Sequence, residues 1–367
     1  MVTQRESTQP ARMQLPMRIG AALIVTIVTA LVLRWSLAFM RNEEAPKLLT
    51  MAVALVVGVL GVWALYWIAN TWLESLPSYR VREALVPALF VGPAVVLLTV
   101  YLVYPAINTL IISFFDRRSE SYVGLDNYSK LLADPEMHVA FRNNVLWLVV
   151  VTAFSLALGL VIAVMVDRIK LEALAKSVIF LPVAISAVGA TVIWRFVYAF
   201  QPAGRPQIGI LNALVVALGG EPVGWYLRPP WNNLALMVVM IWLQTGFCMV
   251  VFSAAIKNVP PELSEAARID GANEFQLFFR VTIPCIRGTI ITVGTTVLIA
   301  VLKVFDIVYV MTRGNYDTQV IANRMYLEMY RFGNFGNGSA LAVILFLAVV
   351  PAMVINIRNL RQQRRES

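Results

Sequence analysis

The sequence is poor in charge. Asp, Glu, Lys and Arg make up 14% of 367 residues, whereas apolar types make up 59%; soluble domains carry about 25% charged residues. A water-soluble globule is therefore excluded, and the chain belongs in a bilayer. Histidine occurs once, at His138, and cysteine twice, at Cys248 and Cys285. The two cysteines have no metal-ligand spacing and imply no disulfide framework. A zinc centre wants several N/S ligands and a Ser-His-Asp triad wants a histidine between two partners, so both are disfavoured. His138 reads as a loop surface residue. Gly-Lys pairs that grip phosphate are missing too. None of the six lysines follows a glycine, so the chain supplies no P-loop. Residues 1–16 are polar and the apolar run after them is too long for a signal peptide, so that run is expected to be a first span.

What is present is a series of long apolar runs. A hydrocarbon core of about 30 Å needs about 20 helical residues. Residues 19–40, 48–72, 86–112, 145–166, 177–200, 233–254, 289–311 and 339–357 qualify. They lack period-2 alternation, which argues against a β-barrel. The sequence thus predicts an all-α integral membrane protein with eight transmembrane helices. With the N-terminus inside, the inner segments hold 16 basic residues and the longer outer loops 11. That bias places both termini, including the basic tail 359–367, in the cytoplasm. It also accounts for the net charge of +9 without nucleic acid as a partner. Charge within spans faces protein, a cavity or the interface. Arg34 and Arg195 read as snorkelling residues. Lys303 and Asp306, one helical turn apart, are expected to neutralise each other, to line a polar pathway, or both.

Between the sixth and seventh runs lies a charged cytoplasmic stretch, ELSEAARIDGANEFQLFFRVTIP, residues 262–284. Pro260 and Pro261 suit a helix start. Glu262 and Glu265 fall in the first turns, where carboxylates meet the positive helix end. Gly271 supplies a turn with positive φ. Asn273 with Gln276 forms a capping-box pattern for a second helix, whose apolar face is Phe275, Phe278 and Phe279. Pro284 is expected to end that helix. Two short helices around a glycine, rigid and exposed, suit docking into a partner's groove; the plainer reading is an interhelical loop.

The segment resembles the EAA loop of membrane subunits of bacterial ABC importers, through Glu265, Ala266, Ala267, Asp270, Gly271, Ala272, Phe278, Ile283 and Pro284. The family often carries a second proline four residues further on; here that position is Gly288. VGLDNYSKLL (123–132) with FRNNVLWL (141–148), IGILNALVVALGG (208–220) with Trp225, and KVFDIVYVMT (303–312) resemble carbohydrate-importer permeases of the maltose and α-glucoside type. The likeness covers about residues 85–358. It implies a six-helix type I permease core over 86–358, two additional helices over 19–72 and a cytoplasmic N-terminus over 1–18.

The resemblance implies a permease subunit for import of a sugar or glycoside, forming half of the translocation pathway in the bacterial inner membrane. Expected partners are a second homologous permease, two nucleotide-binding ATPase subunits and an extracellular or periplasmic solute-binding protein. ATP and Mg would sit on the ATPase partners; no cofactor is expected on this chain and no catalysis by it. Glu265, Ala266, Ala267, Asp270, Gly271 and Ala272 would form the coupling surface. Aromatic faces and polar groups suit sugars, which makes Trp194, Tyr198, Trp242, Gln244, Lys303, Asp306 and Tyr309 candidates for the solute pathway, although Trp and Tyr also gather at interfaces. The rival expectations are an ion-gradient-driven secondary transporter with Lys303 and Asp306 as relay, and an intramembrane enzyme or scaffold, disfavoured by the missing His, Cys and paired-carboxylate clusters.

Overall fold

The computed structural model describes residues 15–42, 45–74 and 79–366. The polar stretch 1–14, residues 43–44 between the first two apolar runs, residues 75–78 between the second and third, and Ser367 of the basic tail lie outside these. The chain divides into two compact units, Met1–Ala106 and Ile107–Ser367. Apart from one isolated bridge between Phe115 and Tyr122, the described residues are helical or irregular.

The first unit holds α1 (Leu15–Met40), α2 (Lys47–Glu74) and α3 (Tyr79–Leu98). They are apolar all round and almost none of their described residues is buried. α2 and α3 meet where Tyr66 stacks on Phe90 at 5.6 Å and donates its hydroxyl hydrogen to the Phe90 carbonyl at 3.2 Å. Pro87 and Pro93 lie inside α3, and a π turn over Thr99–Val103 leads into α4 (Tyr104–Ile112).

The second unit holds α5 (Asp126–Ala133), α6 (Pro135–Val166), α7 (Glu172–Phe180), α8 (Ala187–Val197), α9 (Ile210–Ala217), α10 (Trp231–Lys257), α11 (Pro261–Ile269), α12 (Glu274–Leu277), α13 (Ile283–Cys285), α14 (Arg287–Leu302), α15 (Asp306–Met311), α16 (Ile321–Tyr326) and α17 (Phe335–Glu366). Helix α6 starts cleanly: Asp134 accepts a hydrogen bond from the Glu136 N–H at 2.9 Å, with Pro135 at the first helical position. It buries Trp147, Val151, Ser155, Gly159 and Ala163, one every four residues, along a single stripe. Gly159 lets α6 approach α10 closely: a Cβ there would stand 2.4 Å from Cys248 Cβ. Around this crossing, Met249, Phe252, Val293, Val297 and Val301 complete the main core. A second core joins α5, α6, α16 and α17 through Leu131, Met137, Ile321 and Leu341. His138 is exposed as expected, in the first turns of α6 rather than a loop.

Seven helical stretches among the described residues are long and apolar enough to span a membrane: Leu23–Met40, Lys47–Leu73, Glu83–Ile112, Pro135–Val166, Trp231–Lys257, Arg287–Met311 and Phe335–Asn359. The expected fifth span, 177–200, is not straight. It is a pair, Glu172–Ala184 and Ala187–Val197, bent by 103°, and counts as the eighth span if taken together. Pro182 sits in a 3-10 turn over Leu181–Ala184, Ile185 is extended, and the Ser186 hydroxyl accepts from the Gly189 N–H at 3.1 Å to start α8 afresh. The seventh span is also interrupted. Helix α14 stops at Leu302 and α15 starts at Asp306.

Candidate functional site

The charged stretch after α10 folds as two short helices. Pro260 precedes α11 and Pro261 occupies its first position. α11 closes with Gly271 at φ +86°; the Gly271 N–H donates to the Arg268 carbonyl at 3.1 Å and the Ala272 N–H to the Ala267 carbonyl at 2.9 Å. This is a Schellman closure, which satisfies carbonyls the helix end leaves open. The capping box comes next: the Gln276 N–H donates to Asn273 Oδ1 at 2.8 Å and the Asn273 N–H to Gln276 Oε1 at 3.0 Å. Glu265, Ala266, Asp270 and Gly271 are exposed, and Ala267 and Ala272 half-buried. Two apolar side chains project beside them, Ile269 at 86% exposure and Phe275 at 71%. Pro284 does not end the second helix. A π turn over Phe278–Thr282 carries the chain through it into α13, and the break comes at Ile286. A wider turn re-registers the hydrogen bonds around the missing proline N–H. At Gly288 the approach to α14 is held by Asn359, which donates to the Gly288 carbonyl at 3.0 Å.

Charged side chains tie this loop to its neighbours. Glu274 pairs with Arg168, just beyond α6, at 3.0 Å and with Arg268 of α11 at 3.2 Å. Behind it, Lys176 pairs with Asp167 at 2.7 Å and Glu172 at 2.6 Å, and Ser253 donates to Asp167 at 2.6 Å. Lys257 also bonds Glu172. The C-terminal ends of α6 and α10 and the N-terminal end of α7 thus share one charge cluster. A cleft of about 200 Å³ lies beside it, lined by Asp167, Arg168, Ser264, Arg268, Glu274 and Leu277 among others.

The candidate pathway residues do not converge on one cavity. Trp194 and Trp242 meet edge to face at 5.8 Å and line a 470 Å³ cavity with Ile179, Pro182 and Thr245. Tyr198 packs on Trp194 at 5.1 Å but is only 3% exposed, and its hydroxyl donates to the Ala235 carbonyl at 3.0 Å. It holds α8 to α10 and presents no free hydroxyl. Gln244 is half-buried in α10 and lines none of these cavities. Lys303 and Asp306 form no ion pair with each other: the helix breaks between them, so their spacing of three no longer puts them on one face. Lys303 instead edges an apolar cavity of 530 Å³ lined by Phe305, Met325, Tyr326 and Phe346. Tyr309 stacks on Phe305 at 5.1 Å and meets Tyr326 edge to face at 5.1 Å. A hydrogen bond in which the Tyr326 phenol donates to Tyr309 favours its protonated form and raises its pKa above the ordinary value.

A polar network that the sequence left unmarked holds the loop after α15. Asn143 donates to the carbonyls of Asp317 at 2.7 Å and Gln319 at 2.9 Å. Asn233 donates to Asn143 at 3.2 Å and Asn232 to the Tyr316 carbonyl, while Asn144 accepts from the Ile321 N–H at 2.8 Å. These bonds brace a loop that has Arg313, Tyr316 and Asp317 at positive φ. The available signal is two Asn-Asn pairs, 143–144 and 232–233, at one end of apolar runs. Buried amides need partners.

Comparisons with known proteins bear on these features. Residues 155–366 match the family described as binding-protein-dependent transport system inner membrane component. An osmoprotective compounds uptake permease protein of Synechocystis sp. is 57% identical over 277 residues, which cover 76% of this chain and 99% of that protein. An alpha-glucoside transport system permease protein of Rhizobium meliloti is 48% identical over 326 residues, covering 85% and 97%. In fold, the chain is similar to a subunit of a bacterial ABC transporter involved in the import of the acidic polysaccharide alginate, with a TM-score of 0.65 and 23% identity over 77% of this chain and 96% of that one.

Proposed function

The chain belongs to the binding-protein-dependent permeases of ABC importers, multi-pass proteins of the inner membrane that are not themselves catalytic, and from that premise we propose that it forms half of an ATP-driven import pathway for a sugar or glycoside. The observation that carries this reading is the loop 261–277: a closed two-helix unit with Glu265, Ala266, Asp270 and Gly271 open to solvent. A rigid, small-residue surface of this kind suits a groove on a motor subunit. The chain has no Gly-Lys phosphate grip of its own. Two ATPase subunits would supply hydrolysis, a second homologous permease the other half of the pathway, and a periplasmic binding protein the solute. Both termini lie in the cytoplasm in this arrangement. The six-helix core spans 86–358, preceded by two additional helices over 19–72.

The solute class is supported by the relatives, one named for osmoprotective compounds and one for alpha-glucosides. It is also supported by aromatic side chains beside open cavities, at Trp194 and Trp242 and at Tyr309. Gln244 supplies an amide at span depth. ATP binding draws the ATPases together, moves the two coupling loops and shifts the bundle from inward-open to outward-open. This is a change of population set by differential nucleotide affinity. The ion-driven alternative has lost its relay, since Lys303 and Asp306 are not a pair. Reconstitution of the purified complex in vesicles tests the proposal. Uptake of radiolabelled trehalose or maltose should require ATP and the binding protein, and should persist when sodium and proton gradients are collapsed. Uptake that tracks an ion gradient without ATP would overturn it.

A further inference from the structure

The break between α14 and α15 sets up an arrangement that none of the candidate pathway residues explains alone. Phe305 and Tyr309 are four residues apart at the start and middle of α15. Tyr326 and Tyr330 are four apart where α16 passes into a π turn over Leu327–Arg331. The two pairs interleave. Phe305 lies 5.1 Å from both Tyr309 and Tyr326, Tyr309 lies 5.1 Å from Tyr326, and Tyr326 lies 5.1 Å from Tyr330. Phe305, Tyr309 and Tyr326 form a closed triangle of rings, and Tyr330 extends it from Tyr326. Tyr330 is 74% exposed; the other three are half-buried.

Beside the three tyrosines lies a cleft of about 270 Å³ lined by Tyr309, Arg313, Tyr326, Leu327, Tyr330 and Arg331. Neither Arg313 nor Arg331 has an ion-pair partner among the described residues, whereas nearby Arg324 is held by Asp134 and Glu328. The cleft therefore offers ring faces, three phenolic hydroxyls and two unengaged guanidinium groups. Interfacial aromatics that merely anchor a helix would face lipid singly. These face one another and a mixed-polarity cleft. The apolar cavity beside Lys303 is the contrasting case: it is nearly without polar lining.

The geometry points to a glycosyl-ring subsite at the outer end of the pathway, formed by Tyr309, Tyr326 and Tyr330 with Arg313 and Arg331, which takes one hexose ring of a neutral sugar. The C–H face of the ring lies on the tyrosines, and the guanidinium and phenol groups bond its hydroxyls. The volume falls just under the roughly 300 Å³ at which drug-sized pockets begin, so one ring fits and a disaccharide extends beyond it. This inference rests on the reading of the chain as a sugar-importing permease.

The test uses the complete complex in vesicles with radiolabelled trehalose or maltose, recording the half-saturating concentration for ATP-dependent uptake. Tyr330→Leu should raise it about tenfold, Tyr330→Trp should keep it near the wild-type value, and Arg331→Gln should raise it severalfold. Tyr122→Ala, an exposed tyrosine outside the cleft, should leave it unchanged. If Tyr330→Leu matches Tyr330→Trp, an aromatic face is not needed and the subsite is refuted. Should Tyr330→Leu fail to assemble, Arg331→Gln decides alone, and an unchanged value refutes the subsite. If the wild-type complex takes up neither sugar, the broader import reading fails instead.

Discussion

Two glycines show how different physical demands select the same residue, and how they can be separated. At Gly271 a Cβ would meet nothing within 4 Å, so space is free and the demand is the positive φ of +86°. A β-branched residue is disfavoured in that conformation by about 1–2 kcal/mol, and the Schellman closure would open. Gly271→Val should therefore leave the thermal unfolding midpoint of the complex nearly unchanged while the ratio of solute moved to ATP hydrolysed falls severalfold. Gly271→Asn should fall less, because Asn tolerates this region. Unchanged uptake in the valine variant would count against the coupling role. At Gly159 the demand is space: the added carbon would overlap Cys248 Cβ at 2.4 Å and press on the Met249 backbone. Gly159→Val should push α6 and α10 apart at a cost of about 1–3 kcal/mol, read as a lower unfolding midpoint and a smaller folded yield. The turn at Gly271 was legible in the sequence because its signal is local, with Asp270 before it and an Asn cap two residues after. Gly159 was silent, because its partner is 89 positions away.

Whole elements divide in the same manner. The two short helices of the 261–277 loop, Pro260 and Pro261 at the start of the first and the capping box of the second arise from neighbours in sequence, and the structure has them where the residues put them; Pro284, which does not end the second helix, is the exception. Bends are another matter. Hydropathy reports that a segment is apolar and cannot report its direction, so the 103° turn between α7 and α8 was invisible despite Pro182. Lys303 and Asp306 have the spacing of a helical pair only if the helix continues, and it does not. Phe305, Tyr309, Tyr326 and Tyr330 assemble from two elements separated by a loop, which no periodicity reveals. Glu274 opens the second short helix, and its bond to Arg168 links segments 106 residues apart. That link ties the 261–277 loop to the segment just beyond α6. Arg168 and Glu274 are 65% and 54% exposed, so the pair contributes under about 1 kcal/mol and weakens with salt. A double-mutant cycle over Arg168→Gln and Glu274→Gln, read as solute moved per ATP, should give a small coupling at low salt that fades by about 1 M. A coupling that ignores salt would mean the two residues act through something other than their charges.

For the whole molecule, the division into units at Ala106 and Ile107 carries a consequence for assembly. Both hydrophobic cores are built from residues 131–345. The spans of the first unit bury almost none of their own residues. A relative at 57% identity is accounted for almost in full by 277 residues of this chain, so a transporter subunit of that kind exists with roughly 90 fewer residues. Removal of α1 and α2 should then leave the second unit folded. Two spans are an even number, so their removal does not invert the later spans, and Arg80 and Arg82, in the first turn of α3, are kept in the shortened chain. A chain beginning at residue 75 should insert with its C-terminus still cytoplasmic, as read by reaction of a cysteine placed at Ser367 with a membrane-impermeant thiol reagent, in a background where Cys248 and Cys285 are serine. That cysteine should react only after the membrane is opened. The shortened chain should also unfold within a few degrees of the full one, because neither core loses a residue, and ATP-dependent uptake should persist in the reconstituted complex. If the tail instead reacts from outside, the first two helices set the orientation of the whole protein, and the basic residues of the later inner loops are too weak a bias to do so alone.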